Sequence, residues 1–238
     1  MLNVTLLPIL SDNYAYIIQS GDKTAIIDPG EADPIIQYLD QNNITPDYIF
    51  NTHHHWDHTD GNKTICEKFN VKIVAPASEK SKIGRIDIEL KDGDLFEFGD
   101  TSFKAIETKG HTQGHLCLSF EKDKILFSGD MVFAMGCGRP FEGNAEDLFN
   151  SFKKLSHLSN ETIIYCGHEY TQTNGNFSLS IAPDDEAIKN RMIDVDALRA
   201  NDKPTIPTKM KLERETNLFM RAKSVEDFQT LRDKRNKF

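Results

Sequence analysis

The sequence is short of the features that mark membrane, secreted and nucleic-acid-binding proteins. No apolar run approaches the roughly 18 residues that a membrane span needs, and no Lys or Arg precedes the first apolar stretch as in a signal peptide. The four cysteines form no Cys-x-x-Cys pair, which favours reduced thiols over a disulfide framework. Acidic residues outnumber basic ones by 37 to 28, the reverse of a nucleic-acid binder. We therefore expect a cytoplasmic protein that binds neither membranes nor nucleic acid.

The first two-thirds of the chain carry the pattern of a many-stranded α/β domain. Short apolar or alternating runs, each bounded by Gly, Asp, Asn or Pro, predict strands at 4–9, 14–19, 24–27, 48–51, 72–75, 86–90, 95–98, 102–108, 116–120, 124–127 and 162–166. Capping residues predict helices that begin near Asp33, Asn62 and Asn144. At 238 residues, the chain suits one domain of about 150–200 residues and a smaller appendage, or two unequal domains.

After about Ala182 the pattern changes from strands to helices. Charge density rises, and one helix is predicted over residues 185–200. Ser224, followed three residues later by Asp227, predicts the start of a last helix. A polar connector with two prolines lies between them. The fold class predicted from the pattern is therefore α/β with a small C-terminal helical domain.

Four of the eight histidines fall in one segment, Thr52-His-His-His-Trp-Asp-His58. The segment leaves a predicted buried strand, and α/β sheets place their sites at strand ends. On an extended chain, His53 and His55 point to the same side and His54 points away. Imidazole and carboxylate are ligands that suit Zn²⁺ and similar metals. The segment is thus a candidate metal site.

Three later segments each place one ligand-type side chain after a predicted strand, beside a glycine. These side chains are His111, Asp130 and His168. The candidate ligands are then seven, namely His53, His55, Asp57, His58, His111, Asp130 and His168. Seven ligands are more than one tetrahedral ion can bind, and they suit two ions that share a carboxylate. The charges of two divalent ions, reduced by the negative charges of two aspartates and one hydroxide, leave a net charge of about +1. Such a charge suits an anionic transition state.

These motifs carry a family resemblance. Through T-H-x-H-x-D-H the sequence resembles the metallo-β-lactamase superfamily, and within it the glyoxalase II family of hydroxyacylglutathione hydrolases. The further matches, in the family's order along essentially the whole chain, are G-H-T-x-G-H from Gly110, F-S-G-D from Phe127, G-C-G-R-P-F-E-G from Gly136, C-G-H-E-Y-T from Cys166 and L-R-x-x-R-x-x-F from Leu231. The resemblance implies a four-layer αβ/βα sandwich, with a metal-binding catalytic domain over residues 1–168 and a helical substrate-binding domain over residues 169–238.

The resemblance also assigns roles to residues. It implies that His53, His55 and His111 bind one metal, that Asp57, His58 and His168 bind the other, and that Asp130 bridges them. It implies that glutathione is bound by Arg139, Tyr170, Arg232 and Arg235. Two positions depart from the family pattern: Phe141 stands where a tyrosine is expected in eukaryotic members, and Leu218 replaces the proline of an N-P-F motif. Both departures concern substrate binding more than chemistry.

The reaction implied is hydrolysis of S-D-lactoylglutathione to D-lactate and glutathione, the second step of methylglyoxal detoxification. Two metals would lower the pKa of a water bound between them from about 15.7 towards 7, so that hydroxide would be available at neutral pH. This hydroxide would attack the thioester carbonyl. Asp57 and Asp130 are the catalytic residues expected. Zn²⁺ is the metal expected first, although the same ligands accept Fe or Mn. We expect a monomer whose only partner is this small-molecule substrate.

Other functions of the same fold are the alternatives. A metallo-β-lactamase would usually carry an export signal and a cysteine in place of Asp130. A persulfide dioxygenase uses one iron and lacks the helical extension. A nuclease would need a basic surface, which a net charge of −9 does not provide. A binding protein built on a metal-free version of the fold would have lost ligands. The alternatives kept are a persulfide dioxygenase and another hydrolase of the metallo-β-lactamase fold.

Overall fold

A computed structural model describes residues 1–238, and the chain forms two compact units. The first unit comprises Met1–Glu107 and Gly114–Asp123, and the second comprises Thr108–Gln113 and Lys124–Phe238. Residues 124–168 cluster with the C-terminal helices because two of their strands pair with each other and a helix among them packs on the last helix of the chain. The predicted boundary between a catalytic domain that ends at residue 168 and a substrate-binding domain that begins at residue 169 is a division by function, and it stays a prediction.

The first unit is built on a six-stranded sheet. Three antiparallel strands come first, and three parallel strands follow, joined by helices. The strands, in sheet order, are β1 (Asn3–Ile9), β2 (Asn13–Ser20), β3 (Lys23–Ile27), β4 (Tyr48–Phe50), β5 (Lys72–Pro76) and β6 (Ile88–Leu90). The helices are α1 (Ala32–Gln41), α2 (Trp56–Thr59), α3 (Asn62–Phe69) and α4 (Lys80–Ile83), with a 3₁₀ turn over Ala77–Glu79.

Three further strands of the first unit pair antiparallel, namely β7 (Leu95–Phe98), β8 (Thr101–Glu107) and β9 (Leu116–Phe120). The core beside the six-stranded sheet joins strand residues such as Ile26 and Ile49 to Ile35 of α1 and Ile65 of α3. Burial of this apolar surface stabilises the unit at about 25 cal/mol per Å². Because the core holds β3 and β4 rigidly side by side, the loops at their carboxyl ends are held close together.

The second unit combines a small sheet with most of the helices. Its strands are β10 (Ile125–Gly129), β13 (Ile163–Cys166) parallel to it, β14 (Thr208–Lys209) antiparallel to β13, and a hairpin of β11 (Val132–Phe133) and β12 (Gly136–Cys137). Its helices are α5 (Ala145–Leu155), α6 (Thr171–Ile181), α7 (Glu186–Arg199), α8 (Met210–Thr216), α9 (Leu218–Arg221) and α10 (Val225–Lys237). No helix of the chain is both long and apolar enough to span a membrane.

Side-chain caps set several helix starts where they were predicted. Asn144 and Asp147 form a reciprocal capping box, and Ser224 accepts from the backbone N–H of Asp227. The cap predicted at Asn62 is wrong, because Asn62 is the first residue of α3 and Gly61 precedes it. The cap predicted at Asp33 is also wrong, because α1 begins one residue before it and Asp33 lies in the first turn. There its charge is still favourable to the helix dipole.

Helices α6, α8 and α9 were not predicted. The sequence of α6, TQTNGNFSLSI, contains weak helix formers, and α8 and α9 lie in the segment predicted as a polar connector. Packing stabilises α6 instead: a Cβ on Gly175 would lie 1.9 Å from the Met192 sulfur of α7. Tertiary contacts here override local propensity.

Candidate active site

In the first unit, the histidine segment follows β4 and adopts the alternation expected of an extended chain. The Nε2 atom of His53 lies 3.1 Å from Nδ1 of His55, and the two ring centroids are 4.6 Å apart. The His54 ring contacts Glu79 instead. His58 Nε2 lies 3.5 Å from an Asp57 carboxylate oxygen. The four ligands predicted in this segment are thus neighbours in the fold.

Asp28 supports this segment from the end of the neighbouring strand β3. One carboxylate oxygen accepts from the Thr52 N–H at 2.8 Å, and the other accepts from the Thr52 hydroxyl at 2.7 Å and lies 3.1 Å from His58 Nδ1. The ligand atoms of Asp28, His53 and His58 all lie within 4.8 Å of one another. Asp28 adopts a left-handed φ of 49°, which is rare for a residue other than glycine and is a feature of functional sites. A carboxylate at such a place fixes the imidazole ring of a metal ligand.

Asn13 holds Asp57. Its side-chain amide donates to the Asp57 carboxylate at 2.9 Å and to the Asp57 carbonyl at 3.3 Å. Gly30 allows the Asp57 backbone to approach, because a Cβ there would lie 1.8 Å from the Asp57 carbonyl oxygen. Sequence reasoning missed Asn13. The signal for Asp28 was its place after a buried strand, whereas an asparagine in a turn carries almost no signal.

In the second unit, His111, Asp130 and His168 converge. One carboxylate oxygen of Asp130 lies 3.4 Å from His111 Nε2 and 3.2 Å from His168 Nε2. The other ring nitrogen of His111 lies 2.9 Å from the Arg139 carbonyl, which leaves Nε2 directed at Asp130. The His168 ring stacks on Tyr170, with ring centroids 4.7 Å apart and planes 5° from parallel. All three converging side chains are buried.

The donor groups of both units fit divalent metal ions. They are imidazoles and carboxylates, the set that suits borderline metals such as Zn²⁺. Several also have an outer partner, such as the Arg139 carbonyl for His111 or Asp28 for His58, as metal-binding histidines have. In each unit, the chemistry of the donor groups and their outer partners therefore fit the binding of a divalent metal.

A cavity of about 440 Å³ in the second unit brings the predicted substrate residues together. Its size suits a small-molecule ligand. It is lined by Arg139, Tyr170, Arg232 and Arg235, together with His111, Asp130, Phe133, Cys137, Phe141, Thr173 and Asn174. The four residues to which the resemblance gave substrate roles, although far apart in the sequence, thus face one space beside His111 and Asp130.

Two arginines of this cavity donate hydrogen bonds to neutral groups. Arg232 is only 4% exposed; it donates to the Cys137 carbonyl at 2.9 Å and lies over the Phe219 ring. Arg235 donates to the Asn174 side chain at 3.2 Å. Burial, followed by the charges of Arg232 and Arg139, lowers the pKa of Arg235. Three guanidinium groups that line one cavity attract an anionic ligand.

Cys137 stays a neutral thiol beside this charge. Burial raises its pKa to about 11, and the nearby Arg232 lowers it by less.

Phe141, which departs from the family pattern, is exposed at the cavity and contacts the ring of His111. Leu218, the other departure, is buried against a cluster of apolar side chains.

Comparisons with known proteins agree along the whole chain. The model of the metallo-beta-lactamase superfamily matches residues 10–168, and the model described as the hydroxyacylglutathione hydrolase C-terminus matches residues 169–238. The hydroxyacylglutathione hydrolase of Rhizobium etli is 44% identical over 89% of this chain and 84% of its own length. That of Pelagibacter ubique is 38% identical over all of both chains.

Solved structures share the fold at low sequence identity. The crystal structure of ETHE1 from Myxococcus xanthus has a TM-score of 0.74 at 22% identity and covers 97% of this chain and 90% of that one. The BLEG-1 B3 metallo-beta-lactamase has a TM-score of 0.69 at 23% identity, with 93% and 100% covered. At such identities the likeness concerns the fold alone.

Proposed function

We propose that this chain, which belongs to the hydroxyacylglutathione hydrolase family within the metallo-β-lactamase superfamily, hydrolyses S-2-hydroxyacylglutathione thioesters. The substrate proposed is S-D-lactoylglutathione, and the products are D-lactate and glutathione. Family membership makes the chain a thioester hydrolase and confirms the predicted mixed α/β fold with its C-terminal helical domain.

The observation that carries the proposal is the arginine-lined cavity beside His111 and Asp130. Glutathione carries two carboxylates, and guanidinium groups bind carboxylates with paired hydrogen bonds. Two of the three arginines, Arg232 and Arg235, come from α10. This helix lies in the segment that matches the hydroxyacylglutathione hydrolase C-terminus, whereas the main alternative is a persulfide dioxygenase. The cavity therefore favours the glutathione thioester hydrolase.

We assign the seven candidate ligands to two divalent ions, with Zn²⁺ first and Fe or Mn as alternatives. His53, His55 and His111 would hold one ion, Asp57, His58 and His168 the other, and Asp130 both. When bound, the ions lower the pKa of water to give a nucleophile at neutral pH, and they polarise the thioester oxygen.

The chain's own residues position these groups and the substrate. Asn13 keeps Asp57 in one orientation through two hydrogen bonds, and Asp28 does the same for His58. Arg139, Arg232 and Arg235 would hold the glutathione carboxylates. Binding energy from these remote contacts places the thioester at the reacting centre.

We also propose how the two parts of the chain divide the work and where the enzyme acts. Residues 1–168 would supply metal binding and most of the chemistry, and residues 169–238 would bind substrate. The four cysteines are buried thiols, which suits a reducing cytoplasm. The small-molecule substrate is the partner proposed, with no nucleic acid or membrane, and the enzyme would act as a monomer.

A thioester assay tests the function. Metal-loaded protein would be given S-D-lactoylglutathione with and without a chelator, beside a thioester that lacks glutathione. We expect chelator-sensitive hydrolysis that is far faster for the glutathione compound. Equal turnover of both thioesters would reject the arginine clamp, and no turnover by protein with two metals bound would reject the function.

Replacing Arg232 by alanine should raise KM about 10- to 100-fold, since a hydrogen bond to a charged group is worth about 1.5–3 kcal/mol. The kcat should change by less than about threefold, because the lost contact is remote from the reacting atoms. Steady-state kinetics of the purified variant with S-D-lactoylglutathione measure both constants.

Two variants control for packing. Arg232→Lys keeps the charge but loses the planar fork, so its KM should lie between those of the parent and the alanine variant. Arg221→Ala removes an arginine that pairs with Asp185 at 2.6 Å outside the cavity, and its KM should not change. An unchanged KM in Arg232→Ala would contradict the assigned role.

A further inference from the structure

We propose that Glu79 is a positioning residue for the metal ligands of the first unit. Its carboxylate holds His54 and Gly114, and thereby sets how His53 and His55 face an ion. The proposal rests on the proposed function only in that these histidines bind metal. Neither the sequence motifs nor the family resemblance pointed to Glu79.

Glu79 is a buried carboxylate placed at the end of the 3₁₀ turn that follows β5. It is 1% exposed, and an ionised carboxylate at such a site is costly unless charged or hydrogen-bonding groups surround it. One oxygen accepts from the Gly114 N–H at 2.8 Å. The other is in close contact with Nδ1 of His54. The carboxylate thus joins two segments distant from it in the sequence.

The first of these segments carries the proposed ligands. His54 lies between His53 and His55, and side chains alternate along an extended chain. Holding the His54 ring on one side therefore keeps its two neighbours on the other. The observed 3.1 Å between His53 Nε2 and His55 Nδ1 is the result.

The second segment supports His53 from another direction. Gly114 precedes His115, a fully buried residue whose ring centroid lies 5.1 Å from that of His53. The next residue, Leu116, donates its N–H to the Thr52 carbonyl at 2.9 Å. Glu79 consequently restrains both the chain neighbour of His53 and the ring packed against it.

Gly114 leaves the room that this contact needs. A Cβ at that position would lie 2.4 Å from the Ser78 hydroxyl oxygen and 2.6 Å from the bonded Glu79 oxygen. Any other residue would push the carboxylate away from the segment. Gly114→Ala therefore disturbs the same contact from the opposite side, without changing Glu79 itself.

The test measures Zn²⁺ affinity of the full chain by competition with a coloured chelator. Loss of an outer partner of a metal ligand typically weakens binding about 10- to 100-fold, and we expect this for Glu79→Ala, Gly114→Ala and His54→Ala. The Glu79→Ala/His54→Ala double variant should bind Zn²⁺ no more weakly than the single variant with the lower affinity, because the two single substitutions remove the same contact. Glu79→Gln should lose less, since its amide oxygen can still accept from Gly114.

Asp123→Ala is the matched control. Its carboxylate likewise joins two segments of the first unit, accepting from the Leu2 N–H at 2.9 Å and from the Thr101 hydroxyl at 2.5 Å. Zn²⁺ affinity should not change in this variant, even where its unfolding temperature falls. If both Asp123→Ala and Glu79→Ala lose stability but only Glu79→Ala loses Zn²⁺ affinity, the loss of metal binding is specific to Glu79.

The outcomes are distinct from those of the function test. Parent-like Zn²⁺ affinity in folded Glu79→Ala, judged by circular dichroism, would overturn the proposal. Should that variant fail to fold, parent-like affinity in both Gly114→Ala and Glu79→Gln would overturn it. A parent protein that binds Zn²⁺ but leaves the thioester intact would refute the proposed reaction and leave the Glu79 comparison valid.

Discussion

Asp130→Ala protein should contain less than one metal ion per chain and should lose hydrolysis of S-D-lactoylglutathione by about 1000-fold or more, well beyond the 10- to 100-fold typical of an outer partner. Asp130 is buried, and its carboxylate lies within 3.4 Å of both His111 and His168. Its removal would leave these imidazoles without the anion that balances a divalent charge. Metal content and activity are therefore expected to fall together.

The measurements are metal content by mass spectrometry and thioester turnover at saturating metal. Asp130→Asn retains the size of the side chain and removes only its charge, so it should also lose activity while folding like the parent. Asp123→Asn, which alters a carboxylate that accepts from Leu2 and Thr101, should keep both properties. Full metal content with full activity in Asp130→Ala would exclude the assigned role.

Glu213→Ala should lower the free energy of unfolding by about 3–5 kcal/mol, the usual effect of breaking a buried ion pair. Glu213 is fully buried, and one of its oxygens accepts from Arg191 at 2.5 Å and from the Thr208 hydroxyl at 2.7 Å. Without the carboxylate, the buried guanidinium has no counter-charge. For a chain of this size we expect the unfolding midpoint to fall by roughly 10 °C.

The same carboxylate also supports the substrate cavity. Its second oxygen accepts from the N–H of Met135, at a left-handed φ of 59° in the β11–β12 turn, and from Asn217. Asn217 in turn donates to two carbonyls of that hairpin. Because β12 ends at Cys137, whose carbonyl holds Arg232, KM should rise as well.

Thermal and urea unfolding at a fixed metal concentration measure this effect. Glu213→Gln should lose less stability, since its amide oxygen still accepts from Met135. Glu215→Ala lies on the same helix α8, is exposed, and should change stability by no more than about 0.5 kcal/mol. Equal stability of Glu213→Ala and Glu215→Ala would show that the buried network contributes nothing.

Much of the fold could be predicted because its signals are local. Alternation of apolar residues predicted strands such as β7 and β9, whose bounds match the structure. Side-chain caps predicted the starts of α5 and α10. The hairpin of β11 and β12 was missed since each strand has only two residues, too few to show a period.

The kind of chemistry could be predicted from the sequence alone. Histidine and aspartate at short spacings after strands indicate a metal site, because the ligand type and the alternation of side chains are properties of neighbouring residues. Which residues support those ligands depends on long-range packing. Asn13 reaches Asp57, Asp28 reaches His58 and Glu79 reaches His54 across 44, 30 and 25 positions, and no local pattern predicts such contacts. The same holds for the cavity, where Arg139 meets Arg235 only because α10 folds back to it.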